Sequence, residues 1–325
     1  MKKHEQLLNM LEKAGASHIS GEEISRVLNV SRTAVWKHVN KLRELGYVIE
    51  ASPRLGYTLA AKPDKLDEDA LSGAIRTKVF GRHLQLLDTT VSTQGDAMRL
   101  AEQGAPEGTL VVSEEQTGGR GRQGRKFFSP PRKGVWMSVI LRPQQPLQYT
   151  PQLTLLTGVA VCRAVRRVAG VEAFIKWPND LLVDGRKVCG ILLESAVEDQ
   201  RIRYCIAGIG IDVNLDAEDY PEELRTIATS LKEAAGGAVD RAALIAAVME
   251  ELEDLYTLYG QEGFKPIGVL WEALSAIVGR RVSVRDNGQP VEGTAEGLDA
   301  SGALLVRRSD GSLTTVFSGD IQINQ

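Results

Sequence analysis

Gly118-Gly119-Arg120-Gly121-Arg122-Gln123-Gly124-Arg125-Lys126 sets four glycines among four fixed positive charges, in a chain of 325 residues whose formal net charge is −3. Glycine lets the backbone take unusual angles and lets peptide N–H groups come close to a ligand. Arginine supplies planar donor forks that match phosphate and carboxylate. Such a cationic strap is costly to keep in a fold unless an anion closes it, so its ligand carries phosphate or carboxylate. Two plainer readings compete. Gly119, Gly121 and Gly124 spell G-x-G-x-x-G, the phosphate loop of a dinucleotide fold. That loop joins a strand directly to a helix and keeps small residues against the pyrophosphate. Here arginines fill the tight positions, and the chain runs on into Lys126-Phe127-Phe128-Ser129-Pro130-Pro131, which does not open a helix. The other reading, a solvated basic loop, weakens once the neighbouring segments are considered.

Further along come Lys176-Trp177-Pro178-Asn179-Asp180 and then Gly185-Arg186-Lys187-Val188-Cys189-Gly190-Ile191-Leu192-Leu193-Glu194. In this order after the strap, they resemble the biotin–protein ligase family, whose signatures are GRGR, KWPND and a K-x-x-G-I-L-x-E strand. Residues 88 to 325 follow that family's order without a large gap. Residues 1 to 60 read as a DNA-binding module, so the resemblance is to the bifunctional ligases that also repress biotin-synthesis operons.

The N-terminal reading rests on pattern and charge. Leu7, Leu8 and Leu11 form an apolar stripe ending near Gly15. Ser20 and Glu23 make a capping box before Ile24, Val27 and Leu28. Ser31 caps a third helix with core positions Val35, Val39 and Leu42, closing at Gly46. Its other side presents Arg32, Thr33, Trp36, Lys37 and Asn40. Strands at 47–50 and 57–59 flank a turn that carries Arg54. Three helices and a hairpin describe a winged helix-turn-helix, whose third helix enters the major groove. A helical protein-interaction domain is the competing reading. Residues 1 to 65 hold eleven Lys and Arg against seven Asp and Glu, so a segment of +4 precedes a remainder of −7. That asymmetry favours DNA.

Ala60-Ala61-Lys62-Pro63-Asp64-Lys65 reads as a linker. Beyond it, helices alternate with β-rich runs at 110–113, 135–141, around Phe174, at 188–194 and at 204–213, with helices near 152–168 and 241–259. Successive strands on short turns predict a mixed, largely antiparallel α+β sheet. From about Val278 the tail is β-rich, punctuated by Asn287-Gly288, Ser301-Gly302 and Asp310-Gly311. The predicted organisation is therefore α+β: a winged helix-turn-helix at 1–62, a mixed-sheet catalytic domain at 63–275 and a small domain at 276–325, which the resemblance makes an SH3-like barrel. No apolar run approaches the roughly 20 residues of a membrane span. Cys162, Cys189 and Cys205 have no metal spacing, which fits buried thiols of a reducing cytosol.

The resemblance implies two steps. Biotin and ATP give biotinyl-5′-adenylate and pyrophosphate, and a lysine of a biotin carboxyl carrier domain then displaces AMP. An anionic carboxylate attacking an anionic phosphorus depends on charge cancellation and positioning. On this carry-over Arg120 and Arg122 hold the carboxylate and α-phosphate, with Gly119 and Gly121 letting the strap fold over them. Arg125 joins them on the adenylate side, and Lys187 is an ammonium beside the carboxylate. Lys176 faces the phosphates, while Asn179 and Asp180 orient ATP or a Mg²⁺ ion. The ureido ring takes Ser92, Thr93 and Gln94, where the family has Ser-Thr-Asn; Thr89-Thr90-Val91 is a poorer alternative. Gln116 matches a substrate-contacting glutamine, and Gly190 leaves room for ligand. Asp212 departs from the family's asparagine and receives no contact. Residues 216–229 fall where the family has an adenine-covering loop, without a stacking residue to name. Adenylate binding would favour a homodimer on operator DNA. Two rivals are a lipoate–protein ligase and a repressor that senses an adenylate without transfer. The polar Ser92-Thr93-Gln94 cluster and the retained cations weigh against each.

Overall fold

The computed structural model describes residues 2–44, 47–61, 64–199, 201–286 and 289–323. The chain divides into two compact units, Met1–Lys65 and Leu66–Gln325. The expected helix end at Gly46, the linker residues Lys62 and Pro63, and the Asn287-Gly288 turn lie outside the described residues.

In the first unit α1 (Lys3–Ala14), α2 (Gly21–Leu28) and α3 (Arg32–Glu44) precede an antiparallel hairpin of β1 (Val48–Ser52) and β2 (Gly56–Ala61). Leu7, Leu11, Ile24, Leu28, Val35, Val39 and Leu42 recur at helical spacing and close one core with Ile49. The caps form locally: Glu23 N donates to Ser20 Oγ at 3.1 Å, and Ala34 N to Ser31 Oγ at 3.2 Å. Val27, expected in the core, is instead 58% exposed. With Ile24 and Leu28 turned inward, its side chain stands about 100° from Leu28 around a short helix.

The second unit is built on a seven-stranded sheet. Its elements are α4 (Glu68–Ala74), β3 (Leu84–Leu87), α5 (Thr93–Glu102), β4 (Leu110–Ser113), β5 (Gly134–Leu141), α6 (Thr150–Ala169), β6 (Phe174–Lys176), β7 (Asp180–Val183), β8 (Arg186–Glu198) and β9 (Arg201–Asp212). The strand order is β3-β4-β5-β9-β8-β7-β6, with β3 and β4 parallel and the other pairs antiparallel. Side chains alternate between the two faces of a strand. Val135, Met137, Val139 and Leu141 of β5 join Cys205, Ala207, Ile209 and Ile211 of β9 in the main core. That core also holds Leu156, Val159 and Val161 of α6, and Ile245, Val248 and Leu252 of α8 (Arg241–Glu262). The opposite face carries Ser138, Gly208, Gly210 and Gly190 in a patch between Trp136 and the Ile140–Ile206 pair, and α5 covers part of it through Ala97 and Ala101.

After α7 (Leu231–Ala235), α8 and α9 (Lys265–Ala273) come β10 (Arg281–Asp286), β11 (Gln289–Leu298), β12 (Leu304–Arg307), β13 (Leu313–Val316) and β14 (Ile321–Ile323). They make a five-stranded antiparallel sheet in the order β13-β12-β11-β10-β14. Val282, Leu304 and Ile321 belong to the same hydrophobic cluster as the seven-stranded sheet. A buried ion pair braces the body: Arg241 Nη1 lies 2.6 Å from Glu114 Oε2, with both side chains nearly inaccessible. Arg241 also donates to Gly134 O at 3.1 Å.

Candidate active site and DNA-reading face

The strap folds back as a small hairpin over the small-residue face. Gly121 N donates to Arg125 O at 2.7 Å, and Phe127 N to Gly119 O at 2.9 Å. A methyl group at Gly119 would overlap Phe127 O, so this close backbone approach requires glycine. Beneath the strap lies a slot of about 120 Å³, narrow for a ligand site. It is lined by Ser92, Thr93, Gln94, Gln116, Arg120, Gly121, Arg122, Arg125, Asn179, Asp180, Lys187 and Gly190. Eleven of these twelve come from three segments that are far apart in sequence, with Gln116 just ahead of the strap.

One end of the slot is a buried neutral network. Thr93 N and Thr93 Oγ1 both donate to Gln116 Oε1, at 2.9 and 3.1 Å, and Gln116 Nε2 donates to Ser129 Oγ at 2.9 Å. Thr93 and Ser138 hydroxyls are 2.8 Å apart, and Ser138 Oγ donates to Gln94 Oε1 at 3.1 Å. Gln94 Nε2 reaches Ile206 O at 3.1 Å, and Gly208 is what leaves space for the Gln94 amide. Such a chain of neutral donors and acceptors recognises a polar, uncharged group in a desolvated place.

The other end is cationic. Lys187 Nζ lies 2.7 Å from Asp180 Oδ1 and 5.8 Å from the centre of the Phe127 ring. Arg122 Nη1 donates to Asn179 Oδ1 at 3.0 Å, while Asn179 Nδ2 donates to Ile191 O at 2.8 Å. Arg120 stands 3.6 Å from Glu194, and Arg125 pairs with Asp320. Asp212, at the end of β9, is buried, which raises its carboxyl to about 8; the Tyr220 hydroxyl and the Lys187 charge pull the other way.

Three family models match: Biotin/lipoate A/B protein ligase family over residues 86–213, HTH domain over 3–58 and Biotin protein ligase C terminal domain over 277–323. The bifunctional ligase/repressor BirA of Bacillus subtilis (strain 168) is 46% identical over 317 residues, covering 98% of this chain and 97% of that protein. This chain belongs to the biotin–protein ligase family. The BirA of Escherichia coli (strain K12) is 30% identical over 305 residues, covering 94% of this chain and 92% of that protein. Among solved structures, the biotin protein ligase from Aquifex aeolicus in complex with biotin and ATP superposes with a TM-score of 0.65 at 30% identity. It covers 75% of this chain and 99% of that one.

Ser92, Thr93 and Gln94 are buried at the start of α5, whereas Val91 of the alternative triplet is 70% exposed. The room at Gly190 is taken by the protein itself: a methyl there would lie 3.0 Å from the Phe127 ring and 3.1 Å from Lys187 Nζ. Lys176 is half-buried on the same face as Asp180, its partner across the β6–β7 pairing, and does not line the slot because β6 is the edge strand of the sheet. Asp180, expected beside ATP or Mg²⁺, stands against Lys187. Sequence reading missed Ser138, Ser129 and Phe127. The only polar residue within the apolar run 134–141 was the available signal for Ser138.

In the DNA-binding unit Arg32, Thr33, Trp36 and Lys37 are exposed on α3, and Arg54 is exposed on the β1–β2 turn. Asn40 is half-buried and accepts from Arg43 at 3.4 Å, and Arg32 is paired with Glu22 at 2.8 Å. Cys162, Cys189 and Cys205 are buried free thiols, and burial pushes Cys162 and Cys205 to about 11. Among the described residues, no helix is long and apolar enough to cross a membrane.

Proposed function

We propose that this chain condenses biotin with ATP to biotinyl-5′-adenylate and transfers biotin to one lysine of a biotin carboxyl carrier domain, and that it represses biotin-synthesis genes when the adenylate is bound. The observation that carries the ligase reading is one slot with two chemically distinct ends. The neutral Ser129–Gln116–Thr93–Ser138–Gln94 chain suits a ureido ring, and Lys187, Arg120 and Arg122 suit a carboxylate meeting a phosphate. Lipoate has no ureido group to satisfy that chain.

Lys187 and Arg122 are the residues assigned to catalysis. They cancel charge between the biotin carboxylate and the α-phosphate as the new C–O–P link forms and pyrophosphate leaves. Asp180 aims the Lys187 ammonium, Asn179 holds Arg122, and Arg125 tethers the strap through Asp320. In the second step the lysine amine attacks the carbonyl carbon, AMP departs with the C–O electron pair, and the amine loses its proton. Mg²⁺ would neutralise ATP phosphates; Asp180 and Asp320 are the carboxylates lining the slot, each paired with a cation, which suits an ion held mostly by phosphate and water. Arg32, Thr33, Trp36, Lys37, Asn40 and Arg54 read operator DNA, and the active repressor is a homodimer promoted by the adenylate in the cytoplasm. The divisions 1–62, 63–275 and 276–325 carry DNA binding, catalysis and support of the strap.

Radiolabelled biotin, ATP and an apo carrier domain in one reaction test this. Label on a single carrier lysine, dependent on ATP and not displaced by excess lipoate, is expected. Labelling that lipoate displaces, or none at all, would overturn the ligase reading.

A further inference from the structure

A second cavity of about 760 Å³ opens against the slot and shares Arg122, Asn179 and Ile191 with it. Along β8, Gly190 lines the slot while Leu193 lines this groove, so the strand and its Asn179 neighbour form the wall between them. A third cavity of about 620 Å³ continues the groove, meeting it at Tyr149, Asp299 and Ala300. Nothing in the two-step reaction as derived above uses this surface.

Two occupants of the adenylation cycle could lie beside Arg122: the departing phosphates of ATP, or the incoming acceptor. Charge separates them. Among the described residues, Arg122 is the one cation lining the 760 Å³ groove, and its Nη1 is already bonded to Asn179. Asp299, the one carboxylate there among the described residues, accepts from Ser301 N at 2.8 Å and Ala303 N at 3.0 Å. A triphosphate carrying several negative charges needs more than one occupied guanidinium. The apolar part of the wall is Tyr149, Leu155, Trp177, Pro178 and Phe317, beside the neutral polar Gln148, Thr150, Thr154 and Ser301, with Phe317 left 68% exposed at the rim. Large aromatic side chains around a concave apolar surface are the usual anchors of a protein partner.

We infer that this groove receives the acceptor segment of the carrier domain, an extended stretch whose apolar side chains seat against Tyr149, Trp177 and Phe317 while its lysine amine passes the Arg122–Asn179 wall to the acyl phosphate. This rests on the ligase reading above. It makes the groove a surface for the second step, with adenylate formation left to the slot under a lifted strap.

The test uses the full-length chain and the variant Phe317→Ala, whose side chain lies outside the catalytic machinery, with Phe317→Tyr as the conservative control. Biotin-dependent ATP–pyrophosphate exchange, the KM for ATP, transfer to an apo carrier domain, transfer to hydroxylamine and self-association by sedimentation are measured on each. Phe317→Ala should leave exchange, the KM for ATP and hydroxylamine transfer unchanged, and raise the KM for the carrier about tenfold; Phe317→Tyr should restore most of it. An unchanged KM for the carrier would overturn the assignment. So would a raised KM for ATP, which would place phosphates in the groove, or a loss of self-association, which would place a second copy there. Absence of exchange in the unmodified chain would instead sink the ligase reading itself.

Discussion

Lys187 is the residue on which the first step turns. Its ammonium is aimed by Asp180 at 2.7 Å and backed by the Phe127 ring, so removing it deletes a directed charge rather than a loose surface one. Lys187→Ala should slow adenylate formation by roughly ten- to over a hundredfold, the equivalent of about 1.5–3 kcal/mol for a charge-assisted contact. Pyrophosphate exchange reads this directly, and a rate equal to that of the unmodified chain would refute the role. Arg122→Ala should instead shorten the lifetime of bound adenylate, seen as faster release of labelled intermediate. Asp212 gives a pH signature. Its folded pKa of about 8 lies above the reference of 3.8, so the folded state holds this proton more tightly than the unfolded chain. The stability it contributes is complete below 3.8 and is lost as pH rises through about 8. Urea midpoints should therefore drop from about pH 5 to about pH 9, and drop less in Asp212→Asn.

At the scale of elements the strap is the part expected to move. The slot beneath it holds only about 120 Å³, so ligands enter with the strap lifted and are then covered, which shields a labile anhydride from water. Trypsin cleavage at Arg120 to Arg125 should fall sharply when biotin and ATP are added. Equal cleavage at saturation would count against closure. Gly119→Ala cannot keep the approach of Gly119 to Phe127 O, so it should weaken both protection and biotin binding. Elsewhere the elements are rigidly braced. Arg241→Ala would strand Glu114 as a buried charge between β4 and α8, and a loss of about 3–5 kcal/mol is expected in chemical denaturation.

At the scale of the whole molecule the two units divide the work. Deleting residues 1 to 62 should abolish operator binding and leave ligation largely intact, since every slot residue lies in Leu66–Gln325. Arg32→Ala and Lys37→Ala should weaken operator binding without that truncation. If adenylate favours the dimer, operator affinity of the full chain at fixed salt should rise with biotin and ATP by a coupling of roughly 1–3 kcal/mol. Equal affinity in both conditions would leave a ligase with an uncoupled DNA-binding unit.

Local chemistry made much of this legible without coordinates. Helical stripes such as Leu7–Leu11 and Val35–Val39–Leu42, caps at Ser20 and Ser31, and charged or glycine-rich segments with a strict order are written in neighbouring residues, so periodicity and motif spacing recover them. Val27 shows the limit: the stripe of an eight-residue helix admits more than one inward face until its neighbours choose. The active face was less legible. That Gly190, Gly208, Gly210 and Ser138 form one floor depends on the register of β5, β8 and β9, which pairs Ser138 with Gly208 and Gly190 with Gly210 across strands tens of residues apart. Likewise Lys176 stands outside the slot because β6 is the edge strand of the sheet, and Lys187 is brought to Asp180 by the β7–β8 pairing, rather than by residue type. Chain-local forces determine which segments become helix, strand or cationic strap; which of their side chains meet is decided by long-range pairing, and the slot exists only through that pairing.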